Sequence, residues 1–141
     1  MNTDFLGRLV TSSPWHFPWK NVEAQFQAEN GPHRLHHYLP QGKPLSTTIG
    51  AQAEMIVAGH QTSVSQETCS FMYHCYQGHG ETSITTPQGE HSVIQWKARD
   101  TFAIPAWSKI SHRNLSDQDV AYLFAVNDRP LLQHLDLLRH A

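Results

Sequence analysis

Eleven histidines in 141 residues, with two cysteines and twelve carboxylates, give this chain many groups able to bind a metal or carry a proton. Spacing narrows the choice. Side chains two apart on a strand point the same way, so Ser65, Glu67, Cys69, Phe71, Tyr73 and Cys75 share one face of an extended run, and Ile110 and His112 share a face of another. If both faces line one interior, Glu67 and His112 approach each other. A carboxylate and an imidazole are one ligand short of a usual metal site. The bland alternative is a hydrogen-bonded Glu67–His112 pair that satisfies two interior polar groups. His60 and His74 join such a site only through a bulge or a changed register. Ser65 with His112 resembles a nucleophile and base, but nothing marks a third member or an oxyanion hole. His74 and His79 have ligand-like spacing without a reason to converge, and Gly78-His79-Gly80 reads as a tight turn, not a phosphate loop. Tyr73 and Trp107 are expected either to wall an aromatic-sized pocket or to be core. Arg34 or Arg113 is a candidate partner for a ligand carboxylate, the alternative being two solvated arginines. The expected pocket therefore comprises Ser65, Glu67, Phe71, Tyr73, Trp107, Ile110 and His112. The other histidines, including His36-His37, His134 and His140, read as surface groups.

The elements that position these residues are short. Residues 1–12 read as a loose N-terminal arm, followed by Pro14-Trp15-His16-Phe17-Pro18-Trp19, which docks on a partner or covers the open end of its own barrel. Asn21 is placed to cap a helix through Asn30, with Val22 and Phe26 on one side and Gly31 beyond its end. Strands are expected over 34–39, 47–57 and 63–76. A hairpin runs 81–86 and 90–96 around Pro87-Gln88-Gly89, and further strands cover 101–104, 109–114 and 120–126. Asp128 and Pro130 mark the start of a last helix, with Leu131, Leu132, Leu135 and Leu138 at helical spacing. Many short strands with one helix at each end indicate an antiparallel sandwich or barrel, with one domain over 13–141.

Composition excludes several partners. A net charge of -2 with ten scattered Lys and Arg provides neither a nucleic-acid stripe nor a membrane-binding block. No signal-peptide core or membrane-length apolar run is present, so a cytoplasmic protein is expected. Cys69 and Cys75 lie roughly 20 Å apart if the chain between them is extended, too far for a disulfide.

Certain motifs carry a resemblance. Anchored on Gly78 and Pro105, the chain follows the two spacing patterns of the cupin superfamily. Thr48-Ile49-Gly50-Ala51, the run from Ser70 to Gly80, Asp100-Thr101-Phe102, Pro105-Ala106-Trp107 and Asn127-Asp128-Arg129-Pro130 resemble the second cupin domain of gentisate 1,2-dioxygenases, over roughly residues 13 to 139. The resemblance implies an all-β cupin jelly-roll barrel, a double-stranded β-helix with short flanking helices, and pairing into a homodimer. On the same register, the positions that hold metal ligands in cupins carry Ser65, Glu67, Phe71 and Ile110. Phenylalanine and isoleucine cannot ligate iron, and one glutamate alone does not hold it. The expectation is thus a binding or structural cupin with no cofactor, taking at most a small aromatic carboxylate. The alternative is an iron-dependent ring-cleaving enzyme that acts on a hydroxylated aromatic acid through an atypical Glu67–His112 site.

Overall fold

The structure, a computed structural model, describes residues 13–141, so the expected arm over 1–12 lies outside the described residues. The elements in chain order are α1 (Trp19–Ala28), β1 (His33–His37), β2 (Gly50–Ile56), β3 (Ser65–Gln66), β4 (Phe71–Gln77), β5 (His79–Thr85), β6 (His91–Lys97), β7 (Thr101–Ile104), β8 (Lys109–Asn114), β9 (Ala121–Asn127) and α2 (Arg129–His134). Five strands form one antiparallel sheet in the order β1-β2-β9-β4-β7, and four form a second in the order β3-β8-β5-β6. The two sheets enclose one core of Ile56, Phe71, Tyr73, Cys75, Ile84, Trp96, Phe102, Ile104, Ile110 and Leu123 with smaller neighbours. This is the expected all-β barrel, and its hairpins and turns fall where glycine and proline place them.

Two glycines show why. Gly78 adopts φ +97 between β4 and β5, a conformation open to glycine, and a Cβ there would stand 3.0 Å from the Ala121 backbone. Gly80 leaves no room at all: a Cβ would lie 2.2 Å from the Arg113 carbonyl oxygen and 2.5 Å from the Trp96 ring.

Several elements depart from the sequence expectation. The extended run over 63–76 is two strands in different sheets, since β3 pairs with β8 while β4 pairs with β9 and β7. The chain crosses between sheets at Glu67–Ser70, where two-apart alternation no longer decides direction. The first helix begins at Trp19 behind Pro18, so Asn21 sits inside it and does not cap it. The last helix ends at His134, and Leu138 reaches the core from beyond it. Asp128 also makes no side-chain cap; its Oδ1 accepts the Ser70 N–H at 2.8 Å, tying the crossover to the end of β9.

The Pro-Trp segment neither closes the barrel mouth nor stands wholly free. Phe17 packs edge-on against Tyr38, and Trp19 packs against Tyr76 and Tyr122, on the outer face of the five-stranded sheet. Val22 and Phe26 of α1 complete this second core with Ala53, Met55 and Tyr122. Its consequence reaches inward. Because α1 covers the apolar side of β2, the other side of that strand, Gln52, Glu54 and Ile56, faces the barrel interior and all three are buried.

Replacing Gly80 with alanine is expected to destabilise the fold by about 1–3 kcal/mol, the usual cost of overpacking. Urea unfolding of the Gly80→Ala protein checks this, and an unchanged midpoint contradicts the contact.

Candidate functional site

A cavity of about 390 Å³ opens between the sheets, lined by polar groups including His33, Gln52, Glu54, His60, Thr62, Ser65, Glu67, His112 and Arg129 and by apolar Leu35, Val64, Phe71, Tyr73 and Ile110. Six of the seven residues expected at a pocket line it: Ser65, Glu67, Phe71, Tyr73, Ile110 and His112. Trp107 does not. It sits half-buried at φ 59 in the corner between β7 and β8, where its N–H donates to the Glu67 carbonyl at 2.8 Å and its own carbonyl accepts from Gln66 Nε2. His60 lines the cavity, whereas His74 lies on the outer face of the sheet beside Trp19 and Tyr76.

The expected Glu67–His112 pair does not form. Glu67 is bound by Arg129, with Nε and Nη2 donating to Oε2 at 3.2 and 3.0 Å and Nη2 donating also to Oε1 at 3.2 Å. The reason is position. Arg129 opens α2, its N–H donates to Asn127 Oδ1 at 3.0 Å, and its guanidinium lies 5.7 Å above the Phe71 ring centre. A permanently charged planar fork outcompetes a neutral imidazole for a carboxylate. Cys69 donates its thiol proton to Glu67 Oε2 at 3.1 Å, and burial, then that bond, push the thiol pKa up to about 12. Cys75 is likewise buried and free.

Arg129 also extends the network. Its Nη1 donates to Gln52 Oε1 at 3.2 Å, Gln52 Nε2 donates to Glu54 Oε2 at 3.0 Å, and His33 Nε2 lies 2.6 Å from Glu54 Oε1. Burial alone raises the Glu54 pKa. The His33 hydrogen bond, the nearby His112 and His33, and the Tyr73 hydroxyl together outweigh it and hold the value at about 2. Burial, then the Glu54 charge, push the Tyr73 hydroxyl well above its ordinary range, so it stays protonated.

His112 looks the other way. Its Nδ1 lies 2.7 Å from Thr82 Oγ1, which also accepts the Trp96 Nε1–H at 2.9 Å, while Nε2 is buried with no partner. Burial lowers the His112 pKa, and the opposing pull of Glu54 does not restore it. The two arginines expected to meet a carboxylate lie elsewhere: Arg34 donates to the carbonyls of Phe26 and Gly31 at the end of α1, and Arg113 is exposed on β8. Sequence reasoning missed His33, Gln52 and Glu54, because their strands read as ordinary alternation. Arg129 carried a signal in the Asp-Arg-Pro motif, though not for this role. Among the described residues no group of three or more His, Cys, Asp or Glu side chains is placed to hold a metal ion.

Removing the guanidinium in Arg129→Ala leaves Glu67 without its counter-charge, and a loss of about 1–3 kcal/mol is expected for this partly buried pair. Glu67→Gln in the same background should restore part of it, as chemical unfolding will show. Acid has two expected effects. Unfolded His112 takes up a proton below its ordinary 6.5 while the folded group resists, so stability declines as pH falls through that value. Glu54 adds stability that is complete above its ordinary 4.5 and is lost toward about 2, on the order of 3 kcal/mol in all. A pH series of unfolding curves should lose the lower step in Glu54→Gln; its persistence there would assign that step to another carboxylate.

No protein-family model matches the chain. It is 30% identical to gentisate 1,2 dioxygenase 1 of Aquipseudomonas alcaligenes over 98% of its own length and 40% of that relative's. It is 28% identical to the 5-aminosalicylate 1,2-dioxygenase of Comamonas sp, covering 68% of this chain and 24% of that one. The chain thus spans well under half the length of these curated relatives. The salicylate 1,2-dioxygenase of Pseudaminobacter salicylatoxidans superposes with a TM-score of 0.70 at 19% identity, over 87% of this chain and 35% of that one. An oxalate decarboxylase of B. subtilis superposes with 0.63 at 13% identity, over 71% of this chain and 26% of its own. The structural likenesses speak to the fold, the sequence likeness to descent, and the chain is a cupin-superfamily homologue of part of the gentisate and 5-aminosalicylate 1,2-dioxygenases.

Proposed function

We propose that this chain is a binding or structural cupin, equivalent to the second, metal-poor cupin domain of gentisate dioxygenases, which does not itself cleave aromatic rings with iron. The observation that carries this reading is the Glu67–Arg129 pair. Of the four positions at which a cupin would present metal ligands, Phe71 and Ile110 offer no donor and Ser65 a weak one. Both oxygens of the remaining carboxylate accept hydrogen bonds from a guanidinium. These donors do not fit an iron centre. What the cavity retains is the capacity to enclose a small molecule, the expected class being an aromatic compound related to the relatives' substrates. Two buried, unpaired thiols suit a reducing cytoplasm, and the exposed Trp15 beside Pro14 suits a contact between two copies or with a separate iron-bearing cupin chain.

The competing reading is a ring-cleaving dioxygenase with an atypical site. It draws on the activities named for the relatives and on the unpartnered Nε2 of His112. It requires Glu67 to leave Arg129.

Untagged protein loaded with iron(II) and then washed separates the two. Elemental analysis should find substoichiometric iron, and oxygen uptake with gentisate, salicylate or 5-aminosalicylate should not exceed that of buffer. Stoichiometric iron with turnover that disappears in Glu67→Gln and His112→Ala overturns the binding reading.

A further inference from the structure

The two sheets differ on their outer sides. Alternation with buried residues turns Glu81, Lys97, Lys109 and Arg113 outward on the four-stranded sheet, a polar surface. On the five-stranded sheet the same alternation turns Met72, Ala103, Phe124 and Val126 outward. α1 covers only part of that face. Ile49, Met72, Phe124 and Val126 keep between 36% and 47% of their surface exposed. Register sets the uncovered residues side by side: Val126 lies opposite both Ala51 and Met72, and Met72 lies opposite Ala103. A groove of about 460 Å³ runs between Ile49, Met72, Ala103 and Val126. Asp128, the one charged side chain among the described residues that line it, already accepts the Ser70 N–H. A contiguous apolar strip of this kind marks a contact surface.

The course of the chain near Ser13 points to what covers it. Phe17 packs on Tyr38 with ring centres 5.1 Å apart, and Tyr38 packs on Phe124 at 5.7 Å, so the chain reaches α1 along the border of the strip. Just before Phe17 the backbone turns. The His16 N–H donates to the Ser13 carbonyl at 3.2 Å, and the Trp15 N–H donates to Ser13 Oγ at 3.2 Å. Such a turn holds its end residues within about 7 Å of each other, which keeps Ser13 beside Phe17. Residues 1–12 continue from there. A segment of that length reaches up to about 40 Å when extended. The strip needs less: from Tyr38 to Ala103 it crosses the sheet in strand spacings that sum to about 19 Å. Residues 1–12 also bring suitable side chains, Phe5, Leu6, Leu9 and Val10, while the charges of Asp4 and Arg8 cancel. Tethered at Ser13, they meet the strip at an effective concentration on the order of 1 mM, which a second copy matches only at that protein concentration.

We infer that residues 1–12 lie across this strip, with Phe5, Leu6, Leu9 and Val10 against Met72, Phe124 and Val126. The segment thereby holds a surface that a second copy or another chain would otherwise use. The contact is outside the cavity and does not depend on what the cavity binds.

Full-length protein carrying 13C-labelled Met, Leu and Val methyl groups tests this by nuclear Overhauser spectra. The Met72 and Val126 methyls should show cross-peaks to Leu6, Leu9 or Val10. In an equal mixture of labelled and unlabelled chains, an isotope-filtered spectrum should show no such contact between different chains. Leu6→Ser combined with Leu9→Ser should remove the cross-peaks, shift the Met72 methyl and raise the fluorescence of anilinonaphthalene sulfonate, a dye that reports open apolar surface. Cross-peaks from the strip that arise only between chains assign the cover to a second copy and overturn the inference. So do strip methyls without a cross-peak to residues 1–12, or a Met72 methyl that the double substitution leaves unmoved.

Discussion

Buried charge must be matched, and in this barrel one chain of hydrogen bonds does most of the matching. It runs from His33 on β1 through Glu54 and Gln52 on β2 to Arg129 at the start of α2 and ends on Glu67 at the sheet crossover. No member is fully exposed, and an isolated ion in such surroundings would cost several kcal/mol. The chain therefore couples parts of the sequence that lack other reasons to meet. It holds the first residue of α2 against the crossover, and it lets β2 turn two polar side chains inward. Asn127 and Asp128 support it from behind, one through the Arg129 N–H and the other through the Ser70 N–H.

The same network sets the character of the interior. The barrel is the shared fold, and inside it Phe71 and Ile110 bring side chains that carry no metal donor. Glu67 acts as the counter-ion of Arg129. Phe71 is the floor beneath the Arg129 guanidinium. A buried interior needs its polar groups satisfied, and arginine with five donors satisfies more of them than any other side chain.

On the opposite sheet a second, smaller network follows a different rule. Thr82, His112 and Trp96 come from β5, β8 and β6, adjacent strands whose register places Thr82 opposite both His112 and Ile94. Trp96 reaches Thr82 because Gly80, two residues earlier on the same face, has no side chain to obstruct the ring. This network leaves one nitrogen of His112 with hydrogen-bonding capacity, whereas the Arg129 network uses nearly all of its own.

How much of this was legible beforehand depends on the range of the interaction. Glycine and proline act through their own backbone, so the turns at Gly78, Pro87-Gln88-Gly89 and Pro105, and the strands between them, were readable residue by residue. So was the pairing of Ile110 and His112 on one face, which requires only a regular strand. The extended run through Glu67 was misread as one strand because a crossover between sheets has no local composition of its own. The inward face of β2 was hidden for a related reason: Ala53 and Met55 alternate as core residues should, but the core they join is built with α1, which lies outside the barrel. By itself, then, the amino-acid order determined where strands begin, where they turn and which side chains are unable to bind iron. The partner of Glu67 was settled only by tertiary structure, because Arg129 is 62 residues away along the chain and reaches it through a register no local pattern encodes.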